Sequence, residues 1–352
     1  MRQDNSLKAT SSYVRASWLV VGILAVIISG MAGILFGPSN VDSMSILKEL
    51  IDHLPIVEMD SGLSDRHQAI IWQIRLPRVV LGFLVGAMLS AAGGTYQGVF
   101  RNPLADPYVL GVAAGAGFGA TLAIVSGFGD GSGFFDPVPL AAFAGALLAV
   151  VLTYSIGAAG GRLGSVTSLV LAGVAVASFF TAIQTFVQQK NTETIRQVYF
   201  FILGQLRIAG WDVVILLLPY VVVCLLVILL IRRRLDALGV GEKEATSLGL
   251  NVKRLRVISV LVSSLGTAAV VSVSGLIGFV GIIVPHTIRL IFGFSYRVIL
   301  PLSILFGGAF LVLADLASRM LLQPVEIPIG VVTAFLGAPF FVMVLRTTRA
   351  SR

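Results

Sequence analysis

Long apolar runs alternate with short polar or Pro/Gly-rich links along the chain. The runs fall near 17–37, 79–99, 108–126, 138–158, 167–187, 212–231, 257–275, 276–293, 299–319 and 327–345. A hydrocarbon core of about 30 Å takes ~20 apolar residues per helical crossing, so the pattern predicts about ten transmembrane helices. Runs this long and unbroken exclude a membrane barrel, whose strands alternate over ~10 residues. The seventh and eighth runs are the least divided, because "VSVSGLIGFVGIIVPH" offers only Ser and Gly as punctuation. Together they hold 37 residues, more than one crossing, and are read as two segments.

Lys and Arg then orient the bundle, since they concentrate on the cytoplasmic side. With the N-terminus inside, the inner segments hold 17 of the 25 basic residues and 5 of the 17 acidic ones. The expected fold is an all-α polytopic membrane protein with N- and C-termini cytoplasmic. It divides into a tail over 1–16, a transmembrane domain over 17–346 with a hydrophilic segment at 232–256, and a tail over 347–352. Composition agrees: 57% of residues are hydrophobic and 12% charged, with a mean hydropathy of +0.96. A soluble domain keeps about 25% charged residues, so this chain belongs in lipid. Its basic pI reports topology, and no nucleic-acid partner is needed to explain it.

Candidate chemistry is sparse. Cys224 is the only cysteine and sits in an apolar run, which excludes an internal disulfide and disfavours a thiol site. His53, His67 and His286 lack ligand spacing, so no metal site is expected. None of the five lysines follows a glycine, so there is no Walker A loop for ATP. A proton-driven carrier would place acids deep in its helices. Here Asp315 lies near an outer helix end with Arg319 one turn on, the spacing of a local ion pair. Both obvious engines are missing.

Three stretches stand out. In "IIWQIRLPRVVLGF", Arg75 and Arg78 sit outside, against the general bias, either snorkelling to headgroups or presenting a docking patch to an acidic partner. Between the second and third runs, "FRNPLADPYVLG" is a rigid inner turn whose prolines end one helix and start another. The segment Arg232–Arg256 has helical propensity around Glu242–Leu248, bracketed by Gly241 and Gly249, and is either a solvated loop or a knob on which a cytoplasmic protein pushes. Glycines at four-residue spacing, Gly82 with Gly86 and Gly111 with Gly115 and Gly119, predict close helix packing.

The stretches "RLPRVVLGFLVGAMLSAAGGTYQGVFRNPLADPYVLGV", "LVLAGVAVAS", "ALGVGEKEATSLGL", "SGLIGFVGIIVPHTIRL", "LADLASR" and "EIPIGVVTAFLGAPFFVMVL", in this order, resemble the FecCD family of ABC-importer permeases. The likeness runs from about Arg75 to Arg346. It implies a ten-helix subunit of the bacterial cytoplasmic (inner) membrane, paired with a second permease subunit as a homo- or heterodimer. Two cytoplasmic ATPase subunits supply ATP and Mg chemistry, this chain binds no cofactor, and an extracytoplasmic binding protein delivers an iron-siderophore complex, haem or cobalamin. By residue, the resemblance implies binding-protein docking at Arg75, Arg78 and Arg319, and a cytoplasmic gate at Asn102 and Leu104 with Ser165 and Thr167 near a second constriction. It places the ATPase interface at Gly241, Glu244, Ala245 and Leu248. His286 also matches, as a packing residue rather than a ligand. The expected pathway is polar but nearly uncharged, and siderophore-iron is the favoured cargo.

Two other classes make different demands. An ion-gradient-driven secondary transporter needs a membrane-embedded acid or an ion site at broken helices. An intramembrane enzyme needs a buried nucleophile, an acid pair or a histidine cluster.

Overall fold

The computed structural model describes residues 14–39, 41–53, 61–128, 136–159, 166–206 and 210–350. Among them every regular element is helical: α1 (Ala16–Leu35), α2 (Ser43–Asp52), α3 (Asp65–Val99), α4 (Val112–Phe128), α5 (Pro137–Ala159), α6 (Val166–Lys190), α7 (Ile195–Leu203), α8 (Gly210–Val240), α9 (Glu242–Ser247), α10 (Val252–Ser274), α11 (Val280–Phe292), α12 (Tyr296–Met320) and α13 (Ile329–Ala350). Each of the ten apolar runs coincides with one of α1, α3–α6, α8 and α10–α13. Seven of these are long and apolar enough to cross a membrane, and α4, α11 and α13 are shorter apolar helices. The chain is therefore a multi-span membrane protein.

Three features depart from the hydropathy pattern. The amphipathic helices α2 and α7 lie in links, where hydropathy averaged over a long window does not register them. The second crossing begins early, because α3 starts at Asp65 and includes a π-helical turn over Ile70–Arg75. At its other limit, α8 continues nine residues beyond the apolar run to Val240. Ile231, Leu235 and Leu238 stay buried at helical spacing there, so packing carries the helix through the arginine triplet.

The column around which the rest packs is α3, which contacts α8, α10, α11 and α12. In lipid, small residues let backbones approach and supply attraction that hydrophobicity cannot. Added Cβ atoms at Gly86 and Gly93 would lie 2.2 Å and 1.9 Å from the carbonyl oxygens of Gly307 and Gly281. A second group, α4 with α5 and α6, uses the same device: Gly115 and Gly119 face Gly145 and Ala141. Gly82 and Gly111 do not share it. Gly82 meets the Leu206 and Val312 side chains at 3.1 and 3.5 Å rather than a backbone carbonyl, and Gly111, at φ 79°, is the left-handed residue joining a 3₁₀ turn over Pro107–Leu110 to α4.

The least divided apolar pair is two helices. Gly275 (φ 65°) and Phe279 (φ 70°) break the chain between α10 and α11. Backbone freed inside a membrane protein must be satisfied by protein. Here the Gln205 amide donates to Ser274 O at 2.8 Å and the Leu276 amide to Phe201 O at 3.3 Å. The Tyr108 hydroxyl accepts from the Ile277 amide (3.1 Å) and donates to Ile277 O (3.0 Å).

Candidate functional site

Arg15, Phe100, Val240 and Tyr296 mark one end of the bundle, called here the basic end. Leu35, Asp65 and Met320 mark the opposite, acidic end. The three arginines expected to form a docking patch converge at the acidic end, and they face inward. Arg75, Arg78 and Arg319 are only 3%, 6% and 4% exposed. Arg75 closes the end of α1, donating to Ile34 O at 2.7 Å, Ser39 O at 3.1 Å and Ser39 Oγ at 2.6 Å. Ile34 O is one of the carbonyls that a helix terminus leaves without partners. Arg78 grips two carboxylates at once. Its Nε and Nη2 reach Asp315 at 3.0 and 2.9 Å, while Nη1 and Nη2 reach Glu326 at 3.1 and 2.9 Å.

Arg319 completes the cluster, with Nε 3.0 Å from Asp315 and Nη2 donating to Gly33 O at 3.3 Å. The expected Asp315–Arg319 ion pair is thus present, inside a larger network. A planar guanidinium fork can serve two carboxylates in one geometry, which suits Arg78 to a site where three helices meet. Neither headgroup snorkelling nor an open basic patch describes these side chains. The one member open to solvent is Glu326, whose side chain is 43% exposed.

A groove of about 570 Å³ lies along α13, lined by Ile202, Leu276, Phe279, Val331, Phe335 and Ala338 among others. It contains no charged side chain. Its walls are apolar. Phe335 is 76% exposed, an unusual state for a large aromatic unless lipid or protein covers it.

At the basic end, the turn after α3 is held from within. Asn102 is exposed; its amide donates to Gln97 O at 3.2 Å and its Oδ1 accepts from the Leu104 amide at 3.0 Å. Leu104 is half-buried. Asp106 caps the next turn by accepting from the Tyr108 amide at 2.8 Å, and burial pushes its carboxyl up to about 6. Thr167 is exposed at the start of α6, while Ser165 lies outside the described residues.

The short helix α9 occupies the position expected for a knob. Gly241 turns the chain out of α8 at φ 157°, and a Cβ on it would strike the Glu244 carboxylate. Glu242 pairs with Arg256 of α10 at 2.6 Å. Leu248 and Val240 are 74% and 69% exposed, and Glu244 is exposed beside them. Ala245 is fully buried, so it anchors α9 to the bundle and is not part of the outward surface. His286 packs its ring edge-on to Phe340 at 6.1 Å, and no group of three metal-ligating side chains exists among the described residues.

Sequence reasoning passed over a polar chain at this end: Asp236 on α8, Tyr296 on α12, Arg289 on α11 and Gln97 on α3. Two signals were present. Asp236 is an acid two residues after three arginines, and Gln97 is an amide near the end of the uncharged run 79–99.

The FecCD transport family matches residues 23–347. The chain is 44% identical over 285 residues to the cobalamin import system permease protein of Halobacterium salinarum, covering 81% of this chain and 75% of that one. It is 34% identical over 342 residues to an Fe(3+)-citrate import system permease protein of Bacillus subtilis, covering 97% and 98%. Among solved structures, a metal-chelate type ABC transporter in an inward-facing conformation superposes with a TM-score of 0.80 at 28% identity, covering 95% of this chain and all of that one.

Proposed function

The chain belongs to the FecCD transport family, and from that premise we propose that it forms half of a translocation pathway in an ABC importer for a bulky metal chelate. Siderophore-bound iron is the preferred cargo, with haem and cobalamin as the other members of the class. The chain performs no chemistry on its cargo. ATP and Mg act at two separate ATPase subunits, a second permease subunit supplies the other half of the pathway, and an extracytoplasmic binding protein delivers the load. In this assignment all ten apolar helices cross the bacterial inner membrane, and the basic end, with both termini, is cytoplasmic.

The observation that carries this reading is α9. A six-residue helix stands at the basic end with exposed Val240 and Leu248 on either side, yet is fixed to the bundle by buried Ala245 and the Glu242–Arg256 pair. That is a rigid knob with an apolar contact surface, suited to receiving a push from a soluble partner. Glu244 and Leu248 form its contact surface, with Gly241 and Ala245 buried beneath. Asn102, Leu104 and Thr167 form the inner constriction, to which the family resemblance adds Ser165, and the apolar groove along α13 faces the second subunit.

Arg75, Arg78 and Arg319 organise the acidic end, and an acidic binding protein reaches Arg78 by competing with Glu326. Complementary charge of this kind sets encounter rate and register more than affinity. Co-expression with the ATPase subunit of the same importer tests the reading: the two should co-purify from detergent, and Leu248→Glu with Val240→Glu should abolish co-purification. Unchanged recovery of ATPase with the double variant would remove α9 from the interface.

A further inference from the structure

The polar chain at the basic end joins the root of the knob to the inner turn without a gap. Asp236 lies one turn before the end of α8. Its Oδ1 accepts from the Tyr296 amide, and its Oδ2 accepts from Ser295 Oγ at 2.9 Å and lies 3.3 Å from Arg297 Nε. Both oxygens therefore hold the first turn of α12. The Tyr296 hydroxyl accepts from Arg289 Nη2 at 3.1 Å, and the Arg289 guanidinium lies 5.5 Å from the centre of the Tyr296 ring. The same Nη2 donates to Gln97 Oε1 at 3.2 Å.

Gln97 is fixed on its other side as well, its Nε2 donating to Gly281 O at 3.3 Å and Ile282 O at 3.4 Å. Its main-chain carbonyl is the acceptor for the Asn102 amide. The Tyr296 ring also lies directly on α3, since a Cβ at Gly98 would come within 2.9 Å of Tyr296 Cζ. Four helices are thus linked in series at this end: α8, α12, α11 and α3.

We propose that Asp236, Tyr296, Arg289 and Gln97 form a relay that transmits displacement of the α8–α9 segment to the turn at Asn102 and Leu104. The proposal rests on the functional reading above, because that reading makes the segment a receiver of force and the turn a gate. The four are positioning residues; none faces the apolar groove. Hydrogen bonds in series are suited to the task because they are directional. A shift of Asp236 reorients the start of α12, which moves the Arg289 partner and so the Gln97 side chain, whereas apolar packing alone lets helices slide. A pathway is established by coupling between its ends and not by proximity.

The test uses the purified permease alone, in lipid nanodiscs, with Cys224→Ser and a spin label on Leu104→Cys. Asp236→Asn at the root of the knob should change the ratio of mobile to immobile label at 104 by about fivefold or more, the lower end of ordinary coupling between sites. Introducing Gln97→Leu should abolish the response to Asp236→Asn, and Gln97→Glu, which keeps an acceptor for Arg289, should restore it. Tyr296→Phe removes only the hydroxyl and should weaken the response with the bundle intact by gel filtration. A label at 104 that ignores Asp236→Asn, or responds equally with and without Gln97→Leu, overturns the relay. Because no partner is present, failure of the ATPase to co-purify counts against the functional reading and leaves this result standing.

Discussion

The two ends of the bundle handle charge in opposite ways. At the acidic end, Arg75, Arg78 and Arg319 are buried and satisfied by Asp315, Glu326 and the carbonyls of α1, with one carboxylate left open to solvent. At the basic end, Glu242 is exposed and pairs with Arg256, and a separate polar chain runs from partly exposed Asp236 through Tyr296 and Arg289 to buried Gln97. A compact, desolvated cluster resists rearrangement because separating its ions exposes uncompensated buried charge. The links at Glu242 and Asp236 yield at lower cost, since water reaches those carboxylates and replaces a lost bond there. The difference assigns rigidity to one end and movement to the other.

Substitutions should follow this order. The largest effect is expected from Asp315→Ala, which strands Arg78 and Arg319 in a site from which water is excluded; loss of a buried partner costs about 3–5 kcal/mol, read as a fall in detergent-solubilised thermal stability. A loss below about 1 kcal/mol would contradict a closed cluster. Next comes Asp236→Ala, which removes one acceptor from several donors at the start of α12 and should cost about 1–3 kcal/mol in the same assay. Glu242→Gln breaks a pair whose acid is 51% exposed and should cost at most about 1 kcal/mol, shrinking further in high salt. Equal salt sensitivity at both ends would erase the distinction.

The smallest stability change belongs to Glu326→Gln, because Asp315 continues to hold Arg78. Its informative effect is kinetic. If an acidic partner competes for Arg78, this variant should capture the loaded binding protein faster than the parent in a surface-binding assay at low salt. Slower capture would show instead that the partner reads Glu326 itself.

The helices were legible because each crossing must be apolar over ~20 residues, and this constraint survives any detail of packing. The division at Gly275–Phe279 was readable from length alone. By contrast, α2 and α7 are short, amphipathic and held by tertiary contact, so no hydropathy run announces them. The inner turn at Asn102 was marked by its prolines, and the α9 knob by two glycines around a polar segment with helical propensity. Side-chain direction was the part hidden from a linear reading. Arg75 and Arg78 look like surface charge in sequence, but α1 and α12, more than 30 and 200 residues away, bring Ile34 and Asp315 to them. Ala245 was hidden in the same way, since helical register decides which side of a six-residue helix meets the bundle.

The central claim is that work enters this protein from nucleotide hydrolysis on separate subunits at its basic end. The direct measurement is uptake of radiolabelled ferric-siderophore, haemin or cobalamin into proteoliposomes. The chain should be reconstituted either alone under a sodium or proton gradient, or with its ATPase and binding protein and with ATP at the basic face. Accumulation of at least one of these cargoes only in the complete, ATP-supplied vesicles is the predicted result, and uphill accumulation by the chain alone under an ion gradient would contradict it.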